Sequence, residues 1–162
     1  MASQPNDTFL QQYMPDKMCF GCGHNNAYGL QIKSYWQDDN CICIWQPEPK
    51  YQGWPGVTCG GIIATLIDCH CISSAMGTAI RNENRLPDSK PYYRFATGTL
   101  NIKYLNPTPI TMPITLKAKV TNIKEARIYT LHCDVFTKNE LTATAEVIAF
   151  LLPVTSESVI VK

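Results

Sequence analysis

Apolar and polar residues alternate along the second half of the chain. Leu100, Ile102 and Tyr104 alternate with polar residues. Residues 114–120 show the same pattern, and a period of two predicts half-buried β-strands. We predict four strands in this half, at residues 97–105, 114–122, 127–137 and 141–152.

The first half of the chain combines two predicted strands with one long helix. Residues 28–36 and 41–46 are predicted strands joined by the turn residues 38–40. From residue 60 to residue 80 the period becomes helical, with Ile62, Ile63, Leu66, Ile67 and Met76 on one broad apolar face. One apolar helix and an antiparallel sheet predict an α+β fold with the sheet curled around the helix.

Length and composition fit one packed domain. The chain has 162 residues, of which 45% are apolar and 17% charged. We divide it into an irregular lead-in (1–27), a folded domain (28–152) and a C-terminal tail (153–162). The net charge of +1 argues against nucleic-acid and anionic-membrane partners.

The expected location is cytoplasmic. Residues 1–17 contain neither a basic nor an apolar signal region, and no apolar run reaches the length of a membrane span. The eight cysteines are then expected to remain reduced thiols.

Asp68 is the one formally charged residue between positions 57 and 80. A carboxylate in an apolar helix is costly unless it is paired, exposed or used. It is therefore either on an exposed face, in a structural ion pair, or catalytic. Gly60 and Gly61 open the same helix, where free N–H groups suit a developing oxyanion.

The spacing of these candidates predicts a dimer. Eight residues of helix separate Gly60 from Asp68, about 12 Å at 1.5 Å per residue, too far for both to act on one carbonyl. If both act on one substrate, the acid comes from a second copy of the chain across a two-fold axis.

Residues 52–68, QGWPGVTCGGIIATLID, resemble the central motif of hotdog-fold acyl-CoA thioesterases of the phenylacetate-pathway (PaaI-like) branch. Residues 97–109 resemble the next strand of that family. Residues 25–30 resemble its entry strand, preceded by a Cys-x-x-Cys-Gly stretch at 19–23. The resemblance spans about residues 19–152 and implies a hotdog fold. Cys59 stands where the family motif usually has a histidine.

The resemblance also implies roles for individual residues. Asp68 would be the general base or nucleophile, and the Gly60 N–H, beside Gly61, would polarise the thioester carbonyl. Thr97 would orient water or the carboxylate, and Gln52 would hydrogen-bond in the site. Cys59 is expected to be a small packed residue, the alternative being a nucleophile activated by the helix N-terminus.

Three basic residues are further candidates for the site. Lys103, Lys124 and Arg127 would bind the phosphates of coenzyme A, or they are solvated surface residues with no such role.

The implied activity is hydrolysis of acyl-CoA thioesters in a homodimer or a dimer of dimers. It requires no cofactor beyond the coenzyme A of the substrate. A non-catalytic acyl-CoA binding or sensing module is one alternative, favoured by loss of the motif histidine. Another is a different thioester reaction such as dehydration, which usually needs that histidine.

The cysteine spacing suggests a metal site only in part. Cys19-x-x-Cys22 is half of a zinc site, and Cys41-x-Cys43 could complete four ligands. The second pair lacks the spacing of the common zinc ribbon, so no metal is expected. Cys69 and Cys71 diverge by about 200° around a helix and cannot share one ion.

Overall fold

A computed structural model describes residues 8–153 of the chain. The predicted tail after residue 153 and the first seven residues of the lead-in lie outside this range. The elements are a 3₁₀-helix at Leu10–Tyr13, β1 (Tyr35–Gln37), β2 (Asn40–Trp45), a 3₁₀-helix at Pro49–Tyr51, α1 (Gly60–Asn82), β3 (Phe95–Tyr104), β4 (Ile114–Lys124), β5 (Ile128–Thr137) and β6 (Glu140–Leu151).

The six strands form one sheet in the order β1-β2-β4-β5-β6-β3, and every neighbouring pair is antiparallel. Helix α1 packs against β3, β4, β5 and β6. The predicted α+β hotdog architecture is therefore confirmed. Two strands form the edges of the sheet, the three-residue β1 and the ten-residue β3.

The core lies between α1 and the sheet. Leu66 and Ile67 of the helix are fully buried, as are Leu116, Leu131 and Val147 of the sheet. Burial of each such side chain stabilises the fold by about 1.5–3 kcal/mol. By length and composition α1 could cross a membrane, but 72% of its most apolar window is buried inside the protein. Core helices of globular proteins share this property.

A buried polar network ties α1 to the preceding segment. His70 is wholly buried. Its Nδ1 lies 2.8 Å from Ser34 Oγ, and its Nε2 lies 3.0 Å from the Cys41 carbonyl oxygen. Gln11 donates to Ser34 Oγ and to Ser73 Oγ. Burial lowers the pKa of His70 to about 4, so the imidazole is neutral, donates from Nε2 and accepts at Nδ1. His70 is thus a structural residue.

The predicted strand at residues 28–36 is wrong except at its end, where β1 begins at Tyr35. Leu30 and Ile32 alternate with polar residues because both are buried, yet they do not join the sheet. Their N–H groups donate instead to the carbonyls of Phe20 and Gly21. Gln31 between them has a φ of 54°, which interrupts an extended strand.

Candidate active site

Asp68 lies in the third turn of α1 and is half-buried. Thr97 Oγ1, near the start of β3, donates a hydrogen bond to Asp68 Oδ1. Within residues 8–153 Asp68 forms no ion pair. The alternative of a structural salt bridge is therefore not supported by the described residues, and the second carboxylate oxygen is left to accept from a ligand or water.

A β-bulge turns Thr97 toward the helix. The register of β3 against β6 shifts between Thr97 and Thr99, so Gly98 is an extra residue in β3. In a regular strand with Gly98 paired in register, Thr97 would share the face of Thr99; the bulge places it on the helix-facing side with Leu100. A Cβ at position 98 would lie 2.0 Å from the Phe150 ring, so a larger residue here would displace that exposed ring.

The N-terminus of α1 presents free amide groups. The helix begins at Gly60, and Cys59 is its N-cap, with no hydrogen bond from the thiol to the helix. Among residues 8–153, the N–H groups of Gly60 and Gly61 donate to no backbone carbonyl outside the helix. First-turn amides have no acceptor inside a helix, so these two groups remain available to an oxyanion.

Tyr104, at the end of β3, holds the start of the helix. Its hydroxyl donates to the Gly60 carbonyl at 2.7 Å. Partial burial, and then the nearby Cys59 thiol, raise the pKa of Tyr104, so the phenol stays protonated and remains a donor. The sequence carries no signal for this role, because strand alternation marks Tyr104 only as an apolar position.

A groove of about 640 Å³ opens at this helix end. Cys59, Gly60 and Tyr104 line it together with loop residues around Trp54 and Pro107. Thr58 also lines it, and its buried hydroxyl has no hydrogen-bond partner within the described chain. The groove is thus mostly apolar with a few convergent polar groups, as small-molecule sites commonly are. Asp68 and Thr97 are not among its lining residues.

The candidate residues therefore fall at two ends of β3. Thr97 binds Asp68 at one end, and Tyr104 binds Gly60 at the other. β3 is an edge strand with one side unpaired in the described chain. Antiparallel pairing of β3 with its copy would bring the Thr97 end of one chain beside the Tyr104 end of the other.

Gln52 lies outside the groove and is exposed. Its side-chain oxygen accepts a hydrogen bond of 2.8 Å from the Gly56 N–H, and its backbone forms a bridge with Thr58. Gln52 thereby shapes the loop that lines the groove. Its direct role in the site stays a prediction.

The three basic candidates are exposed and do not lie together in one chain. Lys103 precedes Tyr104 and pairs with Thr144, near the start of β6. Lys124 and Arg127 flank the β4–β5 turn, beside Phe150 at the opposite end of β6. They would serve one ligand only if two chains contribute. Their role stays a prediction.

Cys41 and Cys43 do not join Cys19 and Cys22, as the four-cysteine zinc alternative would have required. Cys41 and Cys43 are buried in β2, where burial raises the pKa of each to about 12. Cys22 is instead joined by Cys19 and by Cys69 of α1. The Cys71 thiol is hydrogen-bonded to the free thiol of Cys133 in β5, on another side of the helix, which confirms that Cys69 and Cys71 diverge.

Comparison with known proteins shows the family. No family model matches the chain. A crystal structure of a thioesterase superfamily protein from Shewanella loihica PV-4 is 32% identical, with a TM-score of 0.63, over 80% of this chain and 96% of that one. The chain therefore belongs to the thioesterase superfamily, as the resemblance in its sequence indicated.

Two further proteins are similar to the chain, one in sequence and one in fold. Acyl-coenzyme A thioesterase THEM4 from Bos taurus is 23% identical over 138 residues, which cover 84% of this chain and 51% of that protein. The chain thus spans about half the length of this curated relative. The smu.793 protein of Streptococcus mutans UA159, bound to acetyl-CoA, shares the fold at 14% identity, with a TM-score of 0.62 over 77% of this chain and 91% of that one.

Proposed function

We propose that the protein hydrolyses acyl-CoA thioesters to a carboxylic acid and free coenzyme A. The THEM4 relative is named for this reaction. The chain also shares its fold with a protein bound to acetyl-CoA, which supports the same class of substrate. The observation that carries the proposal is the separation of two polar centres along β3, with Asp68 at one end and the Gly60 amide at the other.

The catalytic unit in this proposal is a homodimer. About 12 Å of helix separates Gly60 from Asp68, so neither can complete the site of its own chain. Pairing of the two β3 edges supplies Asp68 and Thr97 from one subunit and the groove at Gly60 from its partner. The exposed, ten-residue edge of β3 also requires cover, because long unpaired edges associate readily.

Each group then has one task. Asp68 takes a proton from water, whose oxygen attacks the thioester carbonyl while the Gly60 N–H stabilises the developing oxyanion. The C–S bond breaks, coenzyme A leaves, and the proton on Asp68 passes to its sulfur. Direct attack by Asp68 would instead form an anhydride that water hydrolyses, with the same products.

The remaining candidates serve binding and orientation. Thr97 fixes one oxygen of Asp68, so the other oxygen faces the reacting water. The apolar groove with Cys59 and Thr58 receives the acyl thioester, and Lys103, Lys124 and Arg127 neutralise the coenzyme A phosphates. No cofactor beyond the substrate enters these steps.

A second function is favoured by one residue. Cys59 replaces the histidine of the family motif, and its thiol makes no capping hydrogen bond. A thiol is a poor substitute for imidazole in hydrogen bonding, so a protein that binds acyl-CoA without hydrolysing it would tolerate the change. Binding without turnover is the result that would distinguish this function.

The test is thiol release from a panel of acyl-CoA esters. We expect Asp68→Asn to lower kcat at least about 100-fold, the size of a general-base contribution, with an unchanged circular dichroism spectrum. Asp134→Asn is the matched control, since this carboxylate contacts His132 and Thr144 on β5 and β6, and it should retain activity. Activity that survives Asp68→Asn but is lost in Cys59→Ala would overturn the assignment.

A further inference from the structure

Three cysteines from two separate segments converge on one point. Cys19 and Cys22 belong to the loop before β1, whereas Cys69 lies on α1. Their sulfur atoms all lie within 4.8 Å of one another, and the Sγ atoms of Cys19 and Cys69 are 3.8 Å apart. All three are free thiols. The proposed hydrolysis uses none of them.

The loop is built around these sulfurs. The Gly23 N–H donates to the Cys19 carbonyl at 2.9 Å, closing a tight turn across the Cys-x-x-Cys segment. A Cβ at position 23 would lie 2.3 Å from the Cys19 nitrogen, and one at position 21 would lie 2.3 Å from the Cys69 sulfur. Both positions therefore require glycine, and at position 21 this lets the loop backbone touch the Cys69 thiol.

The Cys19 sulfur has hydrogen-bond partners on two sides. The Cys69 thiol lies 3.8 Å away, and the backbone N–H groups of Cys22 and Gly21 donate to the Cys19 sulfur. Donors that point at a sulfur atom hold it in one orientation, as the hydrogen-bond partners of metal ligands do.

The separations match thiolate ligands around one metal ion. Zinc binds cysteine sulfur at about 2.3 Å in a tetrahedron, which places two sulfur ligands about 3.8 Å apart. The distance between Cys19 and Cys69 equals this value, and the third sulfur lies within 4.8 Å of both. A disulfide would need a separation of about 2.05 Å. The three thiols are thus spaced for an ion between them.

We propose that Cys19, Cys22 and Cys69 bind one zinc ion, which fastens the loop at 17–26 to helix α1. Within residues 8–153, no fourth histidine, cysteine or carboxylate atom joins this group. Cys19 is exposed, so its side of the site is open for entry of the ion and for a water molecule as fourth ligand. Binding releases the thiol protons to solvent.

The location gives the ion a structural task. Cys69 is adjacent to Asp68 in the sequence, so the ion anchors the turn of α1 that carries the carboxylate. The Thr65 side chain also lies close to the loop, since a Cβ added at Gly21 would come within 3.1 Å of the Thr65 methyl group. Cys22 is buried in the core and the loop backbone bonds to residues 30 and 32, so the ion would add a link from the loop to α1 beside these existing contacts.

The test is metal binding by the full chain, purified under reducing conditions and freed of metal. After zinc is added and excess ion removed, we expect about one zinc ion per chain by elemental mass spectrometry; addition of Co²⁺ to the metal-free chain should give a thiolate-to-metal charge-transfer band. Zinc should raise the melting temperature of the wild type. These measurements do not depend on hydrolytic activity.

Variants locate the ligands. Cys19→Ala changes an exposed side chain, so the fold is retained, and we expect loss of both the Co²⁺ band and the zinc-dependent rise in melting temperature. Cys43→Ala, which removes a buried thiol in β2, is the matched control and should bind zinc as the wild type does. Absence of binding to the reduced wild type, or undiminished binding to Cys19→Ala, would overturn the proposal.

Discussion

Thr97 donates a hydrogen bond to Asp68, although 29 residues separate them in the sequence. The bond fixes one carboxylate oxygen against the first residues of β3 and leaves the other to accept. If the bond orients Asp68 for catalysis, loss of the Thr97 hydroxyl should lower kcat, which loss of a purely structural threonine would not do.

Thr97→Val should lower kcat about tenfold with little change in KM, because a hydrogen bond to a charged group contributes about 1.5–3 kcal/mol and this one is partly exposed to water. Thr97→Ser keeps the hydroxyl and should keep most of the activity. Steady-state kinetics with one acyl-CoA ester would measure both variants. Equal rates for Val and Ser at this position would show that the hydroxyl has no part in catalysis.

The oxyanion role of Gly60 is testable by removing its N–H. Gly60 is the first residue of α1, a position that favours proline, and Cys59 before it is extended, with φ −56° and ψ 131°. Gly60→Pro should therefore preserve the helix while lowering kcat about 100-fold or more.

Gly60→Ala is the matched control for this change. An added Cβ would meet Tyr104 at 3.6 Å, an ordinary contact, and the N–H is retained. Thiol-release assays should find this variant active. A Gly60→Pro variant as active as Gly60→Ala would remove this amide from the mechanism.

Tyr104→Phe removes the hydroxyl that holds the Gly60 carbonyl. We expect kcat/KM to fall about threefold to tenfold, the size of a single neutral hydrogen bond of about 0.5–1.5 kcal/mol. Tyr92→Phe, an exposed tyrosine of the connector before β3, should leave the kinetics unchanged. The same modest loss in both variants would mean that Tyr104 does not position the helix start.

The His70 network makes a prediction about stability. His70→Ala removes a fully buried ring, takes away the acceptor of the Ser34 hydroxyl proton and removes a donor to the Cys41 carbonyl, so the free energy of unfolding should fall by about 3 kcal/mol. The exposed His132→Ala should change it by less than about 0.5 kcal/mol. Urea unfolding at neutral pH measures both, and similar values for the two would contradict a structural role for His70.

Strand and helix periodicity predicted most of the fold because the residues concerned face one common core. Helix α1 begins at the predicted Gly60, and five of the six strands begin within two residues of the predicted starts. The predicted strand at 28–36 is wrong because alternation shows which side chains are buried but not which backbone groups are paired. Leu30 and Ile32 are buried, but their amides bond to the loop at 20–21.

The arrangement of the site was less accessible to sequence reasoning. A single-residue bulge at Gly98 places Thr97 and Leu100 on the same side of β3, which strict alternation forbids. The approach of Cys69 to Cys19 depends on a contact between segments 50 residues apart, and no local pattern encodes it. Asp68 and Gly60 were recognisable because a lone acid and a glycine pair are unusual in an apolar helix.

The shared site is the central claim, and subunit mixing tests it most directly. Chains carrying Asp68→Asn and chains carrying Gly60→Pro are each expected to be inactive, but a mixed dimer would hold one intact pair of Asp68 and Gly60. Random exchange of equal amounts should restore about a quarter of wild-type activity, because half of the dimers are mixed and each has one working site. Failure to recover activity, with mixed dimers verified by native mass spectrometry, would contradict a site formed between subunits.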